Sequence, residues 1–255
     1  MEASGLPECL PSTRQNILSE ILNWATDPFD IQNVLWLYGL AGSGKTTISA
    51  TIASYFRELD RLGSFIFFDH TYPERSHPSK VIRTLAYKLG TFDSRIGTVI
   101  AAAIDHYPSV KDSPLHVQFT KLILEPLASL SNLQTGGPIL LLFDALDECG
   151  NASERKDLIK VLGTQLSRLP SAIRVLVITR PLEDINAAFQ GRENILAKDL
   201  DASSQNLGPD IVTYFEHHLR EIQKSGCRNG LIGRGMTLFR TLELALVHFS
   251  SGHPL

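Results

Sequence analysis

Residues 39–46 of this 255-residue chain read Gly-Leu-Ala-Gly-Ser-Gly-Lys-Thr, and this octapeptide narrows the choice of folds more than any other stretch. It fits the pattern GxxxxGK[ST] in full. The pattern binds phosphate where a buried strand runs into a glycine-rich turn and then into the N-terminus of a helix. Val34 to Tyr38 is a dense apolar run before the turn, and helical spacing follows from Thr46 to about Leu59. The context therefore predicts a phosphate-binding loop.

Each part of this loop has its own expected role. The glycines let the backbone turn tightly and bring N–H groups close to phosphate oxygens. The lysine reaches the β- and γ-phosphates of a nucleotide, and the first threonine hydroxyl can ligate Mg²⁺. The predicted nucleotide-binding residues are Gly39, Gly42, Ser43, Gly44, Lys45, Thr46 and Thr47.

Four further apolar runs indicate more strands, at 65–68, 139–143, 175–178 and 195–200. The first three lack the polar alternation of a half-exposed strand, so both of their faces are expected to be buried, whereas the run at 195–200 includes Lys198 and Asp199 and indicates only a fifth strand. Segments with helical spacing separate them, which predicts an α/β fold with a parallel sheet covered by helices on both sides. Ligands of such sheets bind beyond the carboxyl ends of the strands.

Polar residues follow two of these runs. Asp144, Asp147 and Glu148 come after the run at 139–143, where the Mg²⁺ of a nucleotide would lie. Asp144 is predicted to hold Mg²⁺ through water, and either Asp147 or Glu148 to orient the attacking water. Arg180 follows the run at 175–178 and is predicted to approach the γ-phosphate. A solvated acidic turn and a surface arginine would explain each feature taken alone, and the phosphate loop favours the functional interpretation.

Composition excludes several other classes of protein. The chain has 24 Lys plus Arg against 27 Asp plus Glu, so no basic excess points to nucleic acid. Its three cysteines, Cys9, Cys149 and Cys227, fit neither a disulfide framework nor a zinc site. The apolar runs fall far short of the roughly 20 residues that span a bilayer. We therefore expect a cytoplasmic protein. We also expect no metal at His70 and His77, because they lack a nearby Cys or third His.

In chain order, CLPSTR, GLAGSGKTT, LLLFDALDE and ITRP resemble the NACHT family of signalling NTPases, which belongs to the STAND class. The nearest likeness is to fungal proteins similar to the nephrocystin-3 N-terminal region, and it runs from about Glu8 to about Lys224. The resemblance implies a P-loop NTPase with a parallel five-stranded sheet in the order 2-3-1-4-5, truncated before the winged-helix portion. It implies an N-terminal linker and helix over 1–30, the NTPase domain over 31–203 and the start of a helical domain over 204–225.

The resemblance also implies a function. Such proteins are switches that ADP holds closed and ATP exchange opens, with slow hydrolysis resetting them. Asp144 would be the Mg²⁺ acid, Asp147 and Glu148 the extended acids, and Arg180 the sensor. The implied partners are nucleotide, a second copy of the chain, or effector and repeat domains, with no nucleic acid and no membrane.

Two alternative functions stay open. One is a nucleotide-binding scaffold, or a truncated remnant, without turnover. The other is a metabolic P-loop kinase, which would need an acceptor site. A GTPase is disfavoured because the NKxD-type guanine motif is absent.

Residues 226–255 depart from the family pattern. With suitable codons, the same stretch in a shifted frame reads EWPDWPGDDAV and AGALFIWASA, which contain the motifs the family would have there. We therefore hypothesise a frameshift beginning near residues 225–228. The competing interpretation takes Gly252-His253-Pro254-Leu255 as a GxP-type nucleotide-contact motif.

Overall fold

The structure is a computed structural model that describes residues 5–72, 76–130, 133–201 and 207–226. The chain divides into two compact units. The first comprises residues 1–9 and 16–203, and the second comprises residues 10–15 and 204–255.

The first unit is built on a five-stranded sheet whose strand pairs all run parallel, which confirms the predicted α/β class. Each predicted apolar run coincides with one of its strands, although Phe68 and Leu200 each lie one residue beyond the strand. β2 begins earlier than the predicted 65–68 because Gly63 lets the strand approach β3 closely: a Cβ there would lie 2.5 Å from Ile139. The strands are β1 (Val34–Tyr38), β2 (Leu62–Phe67), β3 (Ile139–Asp144), β4 (Ile173–Thr179) and β5 (Ile195–Asp199).

The expected strand order 2-3-1-4-5 is wrong in one respect: β4 lies between β3 and β1, giving the order β2-β3-β4-β1-β5. β4 pairs with β3 on one side and with β1 on the other, where Tyr38 is opposite Thr179. It is the longest strand and all seven of its residues are buried, which suits the centre of the sheet. A buried hydrogen bond of 2.9 Å from Trp36 Nε1 to Thr179 Oγ1 also ties β1 to β4.

Helices cover both faces of this sheet, at the positions where helical spacing predicts them. One helical segment contains a π-helical turn over Thr120–Leu124, and Pro126 lies in the first turn of the helix that follows it. The helices of this unit are α1 (Gln15–Thr26), α2 (Lys45–Glu58), α3 (Pro78–Phe92), α4 (Ser94–His106), α5 (Leu115–Phe119), α6 (Glu125–Ala128), α7 (Ala152–Gln165) and α8 (Glu183–Phe189), and α9 (Leu207–Gly226) belongs to the second unit.

The hydrophobic core has two halves, one on each face of the sheet. Alternate residues of a strand belong to different halves: Trp36 packs with residues of α3, α4 and α7, whereas Leu35 and Leu37 pack with residues of α1 and α2. Burial on both faces explains why the central strands are apolar without alternation. It leaves the ends of the strands as the places where polar groups can gather.

The second unit contains residues 10–15 and α9. Within it, the amide of Arg14 donates a hydrogen bond of 3.0 Å to Asp210 Oδ2. Apart from Gly226, the tail at 226–255 lies outside the described residues, so the frameshift and GxP hypotheses stay predictions. None of the helices in the described part of the chain combines the length and apolarity that crossing a bilayer would require.

Candidate functional site

The glycine-rich loop joins β1 to α2 at the carboxyl edge of the sheet, the edge at which all five strands end. Gly42 and Gly44 have φ angles of 80° and 83°, in the left-handed region that side chains disfavour. Lys45 is the first residue of α2. The loop therefore has the strand–turn–helix context that its sequence pattern requires.

The ammonium group of Lys45 is folded back onto its own loop. Its Nζ lies 2.8 Å from the carbonyl oxygen of Gly39, 2.5 Å from that of Leu40 and 3.3 Å from Ser43 Oγ. Burial lowers the pKa of this lysine, and the nearby Asp147 partly offsets that effect. To bind a phosphate, Lys45 would exchange these carbonyl contacts for phosphate oxygens.

Asp144 ends β3 as a buried carboxylate, with only 1% of the residue exposed. Its Oδ2 accepts a hydrogen bond of 2.6 Å from the Ser49 hydroxyl, whereas its Oδ1 has no partner of acceptable geometry among the described residues. Burial raises the pKa of Asp144 to about 6, although the hydrogen bond from Ser49 lowers it. A buried and half-satisfied carboxylate is the kind of group that a cation or ordered water completes.

The donor set here fits a magnesium ion. Mg²⁺ takes oxygen ligands, usually one or two from protein together with water and phosphate. Oδ1 of Asp144 offers one such oxygen, and the Thr46 hydroxyl makes no hydrogen bond to the described residues. Ser49 lies one turn after Thr46 on α2. Its hydroxyl bonds the Asp144 carboxylate and therefore holds that carboxylate beside the loop.

Asp147 and Arg180 form an ion pair at the same edge. A left-handed residue, Ala145, breaks the chain away from β3, and a 3₁₀ turn over Leu146–Glu148 follows. The amide of Arg180 donates to Asp147 Oδ1 at 3.0 Å, and Arg180 Nε lies 3.2 Å from Asp147 Oδ2. The side chain of Asp147 is 5% exposed and that of Arg180 is 48% exposed. Asp147 therefore anchors the arginine, whose guanidinium still reaches solvent.

Glu148 is held at both carboxylate oxygens. Arg180 Nη2 lies 3.2 Å from Oε1, and His70 Nδ1 lies 2.9 Å from Oε2. Together with Asp147, these residues line an open cleft of about 570 Å³ that continues past His77 and Leu182. The structure thus brings Asp147, Glu148 and Arg180 together because β3 and β4 are neighbours, whereas the expected order 2-3-1-4-5 would have placed β1 between these strands.

Three polar residues of this edge have no signal in the sequence pattern. Ser49 is one, since only its distance from Asp144 reveals it. Asp201, which follows β5, is another. Its Oδ2 accepts a hydrogen bond of 2.7 Å from the amide of Leu40, and this bond fixes the start of the glycine-rich loop. Only the pairing of β5 with β1 brings Asp201 to this loop.

Arg155 is the third. Its guanidinium is buried on α7 and binds both carboxylate oxygens of Asp184, at 2.8 and 3.1 Å. It also donates to the carbonyl oxygens of Asp147 and Gly150, at 3.1 and 3.0 Å. Arg155 therefore fixes the backbone of the loop that carries both acids.

One cluster next to this edge has the residue types of a metal site. Asp69, His70 and Glu148 bring one potential ligand atom each within 4.8 Å of one another. However, Arg180 already places a positive charge on Glu148, and Asp69 Oδ1 accepts from both the amide and the hydroxyl of Thr71, at 2.8 and 2.6 Å. Hydrogen bonds and an ion pair therefore already engage these side chains.

Fold and site together define a class: a parallel five-stranded α/β protein with a glycine-rich loop, a buried acid and an arginine at the carboxyl edge of its sheet. The sequence matches the nephrocystin 3 N-terminal family over residues 12–180, and the chain belongs to that family. This match includes the glycine-rich loop, the three acids Asp144, Asp147 and Glu148, and Arg180. No match was found among curated proteins.

Proposed function

We propose that this chain binds ATP and ADP with Mg²⁺ and hydrolyses ATP slowly, as the nucleotide-binding part of a NACHT-type signalling switch. The single observation that carries the proposal is the buried Asp144 carboxylate, whose Oδ1 is unpartnered beside the glycine-rich loop. A purely structural aspartate would have both oxygens satisfied, because an unsatisfied buried oxygen costs roughly 1–3 kcal/mol. Membership of the family over residues 12–180 supports the same function.

The chain's own residues divide the work of binding. The backbone amides around Gly42 and Gly44 cradle the phosphates, and Lys45 exchanges its loop carbonyls for phosphate oxygens. Thr46 and Asp144 would hold Mg²⁺, which when bound neutralises charge on the phosphates. Because all three ammonium contacts of Lys45 lie within the loop, binding and loop rearrangement are expected to occur together.

We assign Glu148, rather than Asp147, as the group that orients the attacking water. Both carboxylate oxygens of Asp147 are engaged by Arg180. One of them accepts from the backbone amide of Arg180, so a change of the Arg180 side-chain rotamer does not release it. Glu148 is more exposed, at 21%, and faces the cleft where water can enter. Arg180 is proposed to turn toward the γ-phosphate, since its guanidinium is half exposed.

Calorimetric titration with Mg-ATP and Mg-ADP tests the binding. Lys45→Ala removes the loop's cation and is expected to weaken binding at least about tenfold, the effect of one charge-assisted hydrogen bond. Lys160→Ala, an exposed lysine on α7, is the matched control and should bind as the wild type does. A folded wild type that binds neither nucleotide would refute the proposal.

Phosphate release under the same conditions tests turnover. Glu148→Gln should keep nucleotide affinity but lose about a hundredfold or more in rate, the usual contribution of a positioned general base. Binding without any phosphate release would favour the scaffold alternative, and phosphorylation of an added small acceptor would favour the kinase alternative.

We further propose that nucleotide exchange controls association with a second copy of the chain or with effector domains. Light scattering of the ADP- and ATP-loaded protein tests this part separately. An unchanged mass in both states would limit the proposal to binding and hydrolysis.

A further inference from the structure

The carboxylate of Glu148 lies between two groups that come from different strand ends. Arg180, after β4, contacts Oε1 at 3.2 Å. His70, after β2, contacts Oε2 with its ring Nδ1 at 2.9 Å and with its backbone amide at 3.3 Å. The position of Glu148 therefore depends on both neighbours.

The chemistry of the His70 contact fixes the direction of the hydrogen bond. An ionised carboxylate only accepts, so Nδ1 of His70 must carry a proton. The hydrogen bond to Glu148 raises the pKa of His70, Asp69 adds to this effect, and Arg180 opposes it. His70 is therefore a donor to Glu148 whether its ring is neutral or charged.

The backbone around His70 is well anchored. The amide of Phe68 donates to the carbonyl oxygen of Asp144 at 3.0 Å, which extends the pairing of β2 with β3. The next residue, Asp69, donates its amide to Ser76 Oγ at 2.9 Å and accepts the amide of Thr71 at 2.8 Å. His70 thus presents its ring from a fixed turn, although the ring itself is largely exposed.

Arg180 has a competing task. In the proposed function its guanidinium turns toward the γ-phosphate, and its contact with Glu148 Oε1 is then lost. Of the three contacts described here, the two with His70, from its ring and from its backbone amide, would remain. We infer that His70 is a positioning residue, which keeps the carboxylate of Glu148 at the cleft while Arg180 engages the phosphate. This inference rests on the proposed function.

The kinetic test compares His70→Ala and His70→Asn with the wild type. Loss of the ring should lower kcat for ATP hydrolysis about tenfold with little change in KM, because the orientation of Glu148 matters to the reaction and not to nucleotide binding. Asn places an amide N–H near the position of Nδ1 and should restore most of kcat. His77→Asn is the matched control, since His77 lines the same cleft but its ring bonds Ser79 as a helix cap that Asn can replace.

A second readout does not depend on activity. NMR titration of the His70 ring in the nucleotide-free protein should give a raised pKa in the wild type, and Glu148→Gln should bring that pKa back toward its ordinary value.

The outcomes separate the inference from the proposed function. A wild type without phosphate release overturns both. A wild type that hydrolyses ATP while His70→Ala keeps full kcat overturns only the inference, as does a His70 titration that is indifferent to Glu148→Gln. A lower kcat in His70→Ala that Asn restores supports the inference, because simple loss of stability would not be rescued in this way.

Discussion

Replacing Asp144 by Asn is expected to stabilise the nucleotide-free protein, although Asp144 belongs to the proposed binding site. The pKa of this buried carboxyl is raised from 3.8 to about 6, so holding its charge in the folded state costs about 3 kcal/mol at neutral pH. Asn removes that charge and can still accept from Ser49, but its buried amide group lacks a partner and costs roughly 1 kcal/mol. The net gain is about 2 kcal/mol.

Thermal unfolding in EDTA without nucleotide measures this gain. For a protein of this size it corresponds to a rise in Tm of about 4–8 °C at pH 7.5. Asp157→Asn, an exposed aspartate on α7, is the matched control and should leave Tm nearly unchanged. Titration with Mg-ATP should show that the more stable variant binds nucleotide less tightly.

The pH dependence supplies the sharpest check. Because the folded-state pKa is the higher one, the charging penalty is full above about pH 6 and disappears as the pH falls toward 3.8. At pH 5 the penalty falls to about 1.6 kcal/mol, so the advantage of Asp144→Asn should shrink from about 2 to about 0.6 kcal/mol. An Asn variant that is less stable at pH 7.5, or whose advantage is equal at both pH values, would refute the reasoning.

Two further predictions concern packing and the loop that carries the acids. Gly97→Ala should destabilise the protein in urea unfolding by about 1–2 kcal/mol, because the new Cβ would lie 2.7 Å from the Gly90 carbonyl oxygen. Without that close contact, Ala would stabilise the helix by about 1 kcal/mol relative to Gly. A gain in stability would therefore show that α3 and α4 are not so close. Thr98→Ala, exposed on the same helix, is the control. Arg155→Ala should cost about 3 kcal/mol by leaving its carboxylate and carbonyl partners unpaired, whereas the exposed Lys156→Ala should cost less than about 0.5 kcal/mol. Equal losses in these two variants would contradict the role given to Arg155.

The elements of the fold were predictable because they depend on local patterns. The apolar runs of β3 and β4 announce strands that are buried on both faces, and the glycine pattern at 39–46 requires a strand before it and a helix after it. The order of the strands does not follow from local patterns, because an apolar run indicates that a strand is buried but not which strand it pairs with. The expected order rested on the family resemblance instead, and the structure corrects it by exchanging β1 and β4.

The candidate site divides in the same way. Asp144 and Arg180 were predictable because each follows an apolar run, where a strand ends. Ser49, Asp201 and His70 were not, because each acts through a contact that spans 78 to 161 positions of the chain. No periodicity or local motif encodes such distances, and only the assembled sheet brings these residues together.

The position of β4 also sets the distance between β1 and β3 at the carboxyl edge of the sheet. Neighbouring strands lie about 4.8 Å apart, so the strand that leads into the glycine-rich loop and the strand that ends in Asp144 are about 10 Å apart, rather than the roughly 5 Å of direct neighbours. Backbone hydrogen bonds fix this gap, so no side-chain substitution can close it. A ligand that contacts the ends of both strands must span that distance, and without one the hydrogen bond from Ser49 to Asp144 joins the two halves of the edge beside β4.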